Sequence, residues 1–211
     1  MDSSGTILLT GSTGQLGSFI LANLLQTAQK AFSGHVICSY RRSSSFKQLA
    51  LTADFLGEKP FEKHPRTHFV ELDFDDAFHS KHQLEEYCLA SGLSMPTTII
   101  HAAAQINLSP GAATSTGNVQ LTQEVFLLGE LLRVEHITHI SSIATMGGTA
   151  SLGEEEILEA HQFHPSRSKK YLSNYALSKM DSELEAWRAQ SEGHSVSVVR
   201  PRVILGIGPL T

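Results

Sequence analysis

A glycine-rich turn between an apolar run and an amphipathic segment constrains this chain more than any other feature. The run Thr6-Ile7-Leu8-Leu9-Thr10 leads directly into Gly11-Ser12-Thr13-Gly14-Gln15-Leu16-Gly17, with the glycines at GxxGxxG spacing. Leu16, Ile20, Leu24 and Ala28 then recur at helical spacing over 16–31. One glycine permits the tight turn, and the next lets backbone N–H groups approach a ligand. Gly17 lets the helix come close to the strand. The first turn of that helix presents unpaired N–H groups and the positive end of its dipole, a combination that suits a phosphate. A glycine-rich turn alone is weak evidence; a strand before it and a helix after it make it specific.

The same alternation continues along the chain. Strands are predicted over 35–40, 67–72, 97–101, 137–141 and 195–200, and helices over 46–56, 78–91, 114–133 and 172–192. Apolar strands separated by helices form βαβ units, and right-handed crossovers between them produce an α/β fold. The expected architecture is a doubly wound parallel sheet in the order 3-2-1-4-5-6, forming a single domain over 1–211. Two longer stretches, 57–66 and 143–171, are predicted as loops. The second carries an acidic Glu154-Glu155-Glu156 run, read as a solvated face.

Composition narrows the classes of partner. A formal charge of −5 over 211 residues argues against a nucleic-acid surface. Cys38 and Cys88 lie far apart without CxxC spacing and read as small buried hydrophobes. His161 and His164 have no third ligand at metal spacing, so no metal site is expected, and His101 reads as structural. The start of the chain shows neither a signal peptide nor a membrane span, which makes the cytoplasm the default compartment.

Two further segments carry chemistry. At the end of the second strand stands Ser39-Tyr40-Arg41-Arg42-Ser43, with no Asp or Glu. An acid there would bind a ribose 2′-OH, whereas Arg41 and Arg42 suit a 2′-phosphate, so NADP(H) is the preferred cofactor, with NAD(H) possible. Tyr175 and Lys179 stand four residues apart on a predicted helix and so share a face. An ammonium one turn away stabilises a tyrosinate, which makes proton exchange near neutral pH feasible. At about 100° per residue, the stripe Leu177, Met180, Leu184 and Trp187 points roughly 140° away and is expected to bury while the pair faces a cleft. Ser141-Ser142 ends the fifth strand, where ligands of open α/β sheets bind and a hydroxyl can polarise a substrate oxygen.

With these residues in view, the chain resembles the extended short-chain dehydrogenase/reductase superfamily. The carriers are the Thr10–Gly17 turn, Leu72-Asp73-Phe74, His101-Ala102-Ala103-Ala104, Asn118-Val119, Ser141-Ser142, Tyr175 with Lys179, and Arg200-Pro201 followed by Gly206. Within the superfamily it is most similar to the branch of dihydroflavonol reductases and 3β-hydroxysteroid dehydrogenases. The resemblance implies a Rossmann fold and a cofactor site formed by Gly11, Ser12, Thr13, Gly14, Gln15, Leu16 and Gly17. Asp73 would accept from the adenine amino group beside Phe74, and Ala102, Ala103 and Ala104 would leave room for the cofactor. Pro201 and Val203 would flank the nicotinamide, and Lys179 would bind its ribose. Tyr175 would be the general acid or base and Ser142 would orient the substrate oxygen, with Ser141 as the alternative.

The activity implied is hydride transfer between a nicotinamide and a small carbonyl or alcohol substrate. A sugar-nucleotide epimerase or dehydratase with bound NAD is one alternative. A non-catalytic dinucleotide-sensing or scaffolding protein is another. A homodimer through the two long helices is compatible with the pattern. Family members continue past the Arg-Pro segment, so a truncated C-terminal substrate subdomain is expected here.

Overall fold

A computed structural model of the chain describes residues 5–26, 32–105, 115–146 and 173–202. Six parallel strands, β1 (Thr6–Thr10), β2 (His35–Tyr40), β3 (Thr67–Glu71), β4 (Pro96–His101), β5 (His136–Ile140) and β6 (Val196–Val199), form one sheet in the order β3-β2-β1-β4-β5-β6. The helices are α1 (Gln15–Gln26), α2 (Lys47–Leu56), α3 (Ala77–Ser91), α4 (Ser115–Leu132) and α5 (Asn174–Ser191). Strand order and every predicted strand agree with the sequence pattern to within a residue at each end. The predicted 57–66 loop contains a short 3-10 turn, Phe61–Lys63, and the 143–171 loop opens with another, Ile143–Met146. Residues 147–172, with the acidic run, His161 and His164, lie outside the described residues, as does Val203.

The strands are apolar on both faces because both faces are covered. In register, Leu8 pairs with Ile37 and Ile99, and Ile99 pairs with Ile137. Leu8, Ile37, Ile99 and Ile137 join Leu72, Leu84, Val125 and Leu128 in the core beneath α3 and α4. Their neighbours along the strands, Leu9, Val36 and Cys38, point the other way and pack with Leu21, Leu25, Leu49 and Phe61 beneath α1 and α2. Period-two alternation therefore fills two cores instead of one core and one wet face. Cys38 and Cys88 are both buried and unpaired, and burial pushes each thiol's pKa up.

Several helix ends explain why the chain turns where it does. The Asp76 carboxylate caps α3, accepting from the N–H groups of Phe78 and His79, and Glu124 on α4 accepts from the Ala77 N–H at 2.8 Å. Gly57 closes α2 in the left-handed region at φ 66°. Helix α5 starts at Ser173, whose Oγ accepts from the Ala176 N–H.

The buried face of α5 differs from the predicted stripe. Met180 is fully buried, but Leu177 and Trp187 are half-buried and Leu184 is exposed. The face turned inward carries Ala176, Ser178, Lys179, Ser182, Glu183, Ala186 and Ala189 beside Met180. Small side chains there let α4 and α5 lie close together, and the polar ones are satisfied by specific partners. Hydrophobic periodicity cannot detect a face of that kind.

Candidate active site

The carboxyl ends of the strands define the site. A cavity of about 970 Å³ lies along them and is lined by the residue or residues that follow each strand: Gly11 after β1, Arg41 after β2, Leu72 and Asp73 after β3, Ala102 after β4, Ser141 and Ser142 after β5, and Pro201 beyond β6. The lining includes Gly11 after β1 and Ala102 after β4, the adjacent strands at which strand order reverses and the crossovers diverge to opposite faces. A cavity of that size suits a ligand as large as a dinucleotide.

At the glycine turn, the backbone packs against itself. Gly11 has φ 72°, and a Cβ there would sit 2.6–2.7 Å from the backbone of Ala102 and Ala103. A Cβ on Gly17 would lie 2.0 Å from the Gly11 carbonyl oxygen, so this glycine seats the helix on the turn itself, where the sequence suggested close approach to the strand. Gly14 is the exposed one. Its N–H donates to Gly11 O at 3.0 Å, and it lines the cavity with Thr13, Gln15 and Leu16. Ser12 does not line the cavity; it is fully buried and its Oγ donates to Ser39 O at 3.3 Å, tying the turn to β2. Thr10 fastens the other side, accepting from the Ala103 N–H at 3.2 Å and pairing with His101 Nδ1 at 2.8 Å. His101 is buried and held neutral, mainly by burial, with His139 and Lys179 adding to the shift, which fits the structural role read for it.

The two arginines separate. Arg41 is exposed on the cavity wall, with its backbone N–H donating to Ser44 Oγ, while Arg42 is exposed outside the lining. Asp73, following the neighbouring strand β3, is exposed and also lines the cavity. Phe74 is mostly buried in the core beneath α3, with one edge on the cavity.

At the far end, α5 delivers Tyr175 and Lys179 to the same cavity as Ser142. Lys179 is nearly buried and its Nζ donates to the Ile140 carbonyl at 2.9 Å. Burial pulls its pKa down to about 8, against the opposing influence of Glu183. Ser141 and Ser142 have different partners. Ser141 is buried and donates to the Glu183 carboxylate, whereas Ser142 is half-buried and its Oγ accepts from the Ala144 N–H at 3.2 Å. Asn118 on α4 braces this end: it exchanges two hydrogen bonds with the backbone of Gln105 and donates to Ser178 Oγ on α5.

A family model described as male sterility protein, of an NAD-binding type, matches residues 9–211. The chain belongs to that family. Curated relatives include a non-canonical nonribosomal peptide synthetase, FrzA, from a Cladobotryum species (26% identical, 97% of this chain, 20% of the relative). The aldehyde reductase lnbA of Aspergillus flavus is 25% identical over the same shares. Among solved structures, the terminal R domain from the myxalamid PKS-NRPS biosynthetic pathway superposes with a TM-score of 0.70 at 23% identity, covering 94% of this chain and 49% of that one. A UDP-glucuronic acid 4-epimerase from Bacillus cereus in complex with NAD reaches 0.65 at 18% identity, covering 94% and 56%. The chain therefore spans about a fifth of these curated relatives and about half of these solved chains. Its fold is that of the extended short-chain dehydrogenase/reductase superfamily.

For this family member, the motif reading missed Glu183. The carboxylate is fully buried, pairs with Arg200 at 2.8 Å, and follows Tyr175 and Lys179 at successive i+4 steps. Its signal was present as an acid on the predicted catalytic face. Among the described residues no group of His, Cys, Asp and Glu could hold a metal, and no helix is long and apolar enough to cross a membrane.

Proposed function

We propose that this chain binds NADP(H) along the strand ends and acts as a reductase of aldehyde-class carbonyl substrates. The observation that carries this reading is the convergence of Tyr175, Lys179 and Ser142 with the glycine turn on one cavity. The fit to a dinucleotide rests on the turn: a Cβ at Gly11 or Gly17 would meet backbone, and Gly14 leaves the helix start open to the cavity. Gly11, Thr13, Gly14 and Gln15 would hold the pyrophosphate, Asp73 and Phe74 the adenine, and Ala102, Ala103 and Ala104 the middle of the cofactor. Pro201 and Val203 would flank the nicotinamide. When bound, the nicotinamide supplies the hydride in reduction or accepts it in oxidation.

The chain's own residues manage the oxygen and its proton. Ser142 Oγ donates to the carbonyl oxygen as negative charge develops there. Tyr175 transfers its phenolic proton to that oxygen in reduction and takes it back in oxidation. Lys179, one helical turn from Tyr175 in sequence and anchored to the Ile140 carbonyl, stabilises the tyrosinate that remains. Ser142 fits the role better than Ser141, because Ser141 spends its proton on Glu183. Support for NADP(H) over NAD(H) is Arg41 on the cavity wall, with no acid at the end of β2. The aldehyde class is supported by the aldehyde reductase among its relatives.

The test is a fluorescence titration with NADPH and NADH, followed by turnover on an aldehyde panel with the full-length protein and Tyr175→Phe. Loss of the acid is expected to cut kcat by about 10²–10⁴-fold while NADPH affinity stays within twofold. Unchanged turnover would remove Tyr175 from the mechanism.

A further inference from the structure

Glu183 has no solvent exposure, yet its carboxylate has partners from three segments of the site. Ser141 Oγ donates to it from the end of β5, and Thr145 Oγ1 donates at 3.4 Å from the turn that follows. Arg200, at the end of β6, donates from Nε at 2.9 and 3.2 Å and from the second terminal nitrogen at 2.8 Å. One helical turn back, Lys179 holds the carbonyl of Ile140, the residue before Ser141. The single Thr145 hydroxyl proton is shared with Ser142 O, the nearer acceptor at 2.8 Å, so the turn carrying Ser142 is bonded mainly to itself through Thr145 and is held to Glu183 chiefly by Ser141 Oγ. A buried ion pair is a costly way to join a helix to an edge strand, since apolar residues of similar volume often serve equally well or better. The extra hydroxyl partners lie where Ser142 is presented to the cavity.

We infer that Glu183 is a positioning residue, fixing the Ser141–Thr145 turn and the Arg200–Arg202 segment against the helix that bears Tyr175 and Lys179, and keeping an anion beside the Lys179 ammonium. This rests on the reductase reading above. Lys179 has Tyr175 and Glu183 one turn to either side on its own helix, lies within electrostatic reach of His101 on β4 and His139 on β5, and Arg200, following β6, pairs with Glu183. Both histidines are held neutral by burial and by Lys179 itself, so within this group the carboxylate supplies the negative charge.

The variants are Glu183→Gln, which keeps shape but removes charge, and Glu183→Met/Arg200→Met, which replaces the pair with apolar volume and guards against simple unfolding. The first readout needs no cofactor. The Lys179 ammonium is titrated by NMR in full-length protein labelled at the lysine ε-carbon, with Lys179→Met assigning the signal. Its midpoint is expected to fall by about one pH unit in both variants. The second readout is turnover: kcat at pH 7 is expected to fall about tenfold or more, with KM for NADPH changed less than threefold. The double variant is expected to recover thermal stability without recovering either signal. A Lys179 midpoint that stays put, or a double variant with wild-type kcat, would reduce Glu183 to a structural tie and overturn the inference. If Lys179 moves as expected while the wild-type protein neither binds NADPH nor reduces any aldehyde, the fault lies in the reductase reading instead.

Discussion

Replacing Gly17 with alanine separates close packing from conformational freedom. Gly17 lies inside α1, where alanine is the better helix former by about 1 kcal/mol. Propensity alone therefore predicts a gain. The surroundings predict the reverse, because the new Cβ would lie 2.0 Å from Gly11 O, 2.6 Å from Gly11 C and 2.9 Å from the Ser12 Cα. All three are backbone atoms of the turn and cannot rotate aside. Restoring an ordinary contact of about 3.4 Å requires the helix to retreat by more than an ångström, and overpacking of this order costs about 1–3 kcal/mol. The displaced element is the phosphate-facing start of α1, so NADPH affinity should fall by about tenfold or more along with stability. The control is Gly57→Ala. Gly57 has φ 66° and nothing within 4 Å of its missing Cβ, so alanine there meets only the left-handed backbone cost of about 1–2 kcal/mol. Urea unfolding and NADPH fluorescence titration of both variants decide the matter. Gly17→Ala with wild-type affinity and unchanged or higher stability would refute the packing argument. Equal loss of affinity in Gly57→Ala would show that global stability, not the turn, controls binding.

Arg41→Ala should weaken NADPH by about tenfold or more with much less effect on NADH, whereas Arg42→Ala should change neither by more than about twofold; the titrations read both directly. Lys179 is protonated below about pH 8 in the folded protein but below about 10.5 once unfolded, so the unfolded chain binds more protons between those values and stability should rise with pH across that window. Lys179→Met should abolish that rise and add up to about 3 kcal/mol near neutral pH, measured by urea unfolding at a series of pH values. His139 is buried with neither ring nitrogen hydrogen-bonded, its pKa pushed down from 6.5 to about 3 by burial first and Lys179 second. It must be protonated on unfolding in acid, so its contribution to stability falls as pH drops from about 6.5 toward 3. His139→Leu should flatten that decline and be neutral or stabilising at pH 7, and marked destabilisation at pH 7 would show that the ring has a partner of its own.

How much of this was legible beforehand follows from which interactions are local. The strands announced themselves because a parallel sheet covered on both faces needs near-continuous apolar runs such as Val36-Ile37-Cys38, and the βαβ alternation then dictated strand order through crossover handedness. Gly11, Gly14 and Gly17 were readable because a tight turn between strand and helix restricts which residues can occupy it, and Tyr175 and Lys179 because four residues make one helical turn. The fate of Ser12, Arg42, Ser141 and Glu183 was not readable in this way. Each depends on a partner 17 or more residues away, or on which side of a wall a flexible side chain falls. The stripe on α5 failed for a related reason: its buried face is made of alanines, serines, a lysine and a glutamate whose burial is permitted by α4, Ile140 and Arg200, not by their own hydrophobicity. Local spacing thus determined the elements, their order and the glycine turn. Tertiary packing decided which hydroxyl, which arginine and which buried charge face the cavity, because such groups enter the interior only where folding brings them a partner.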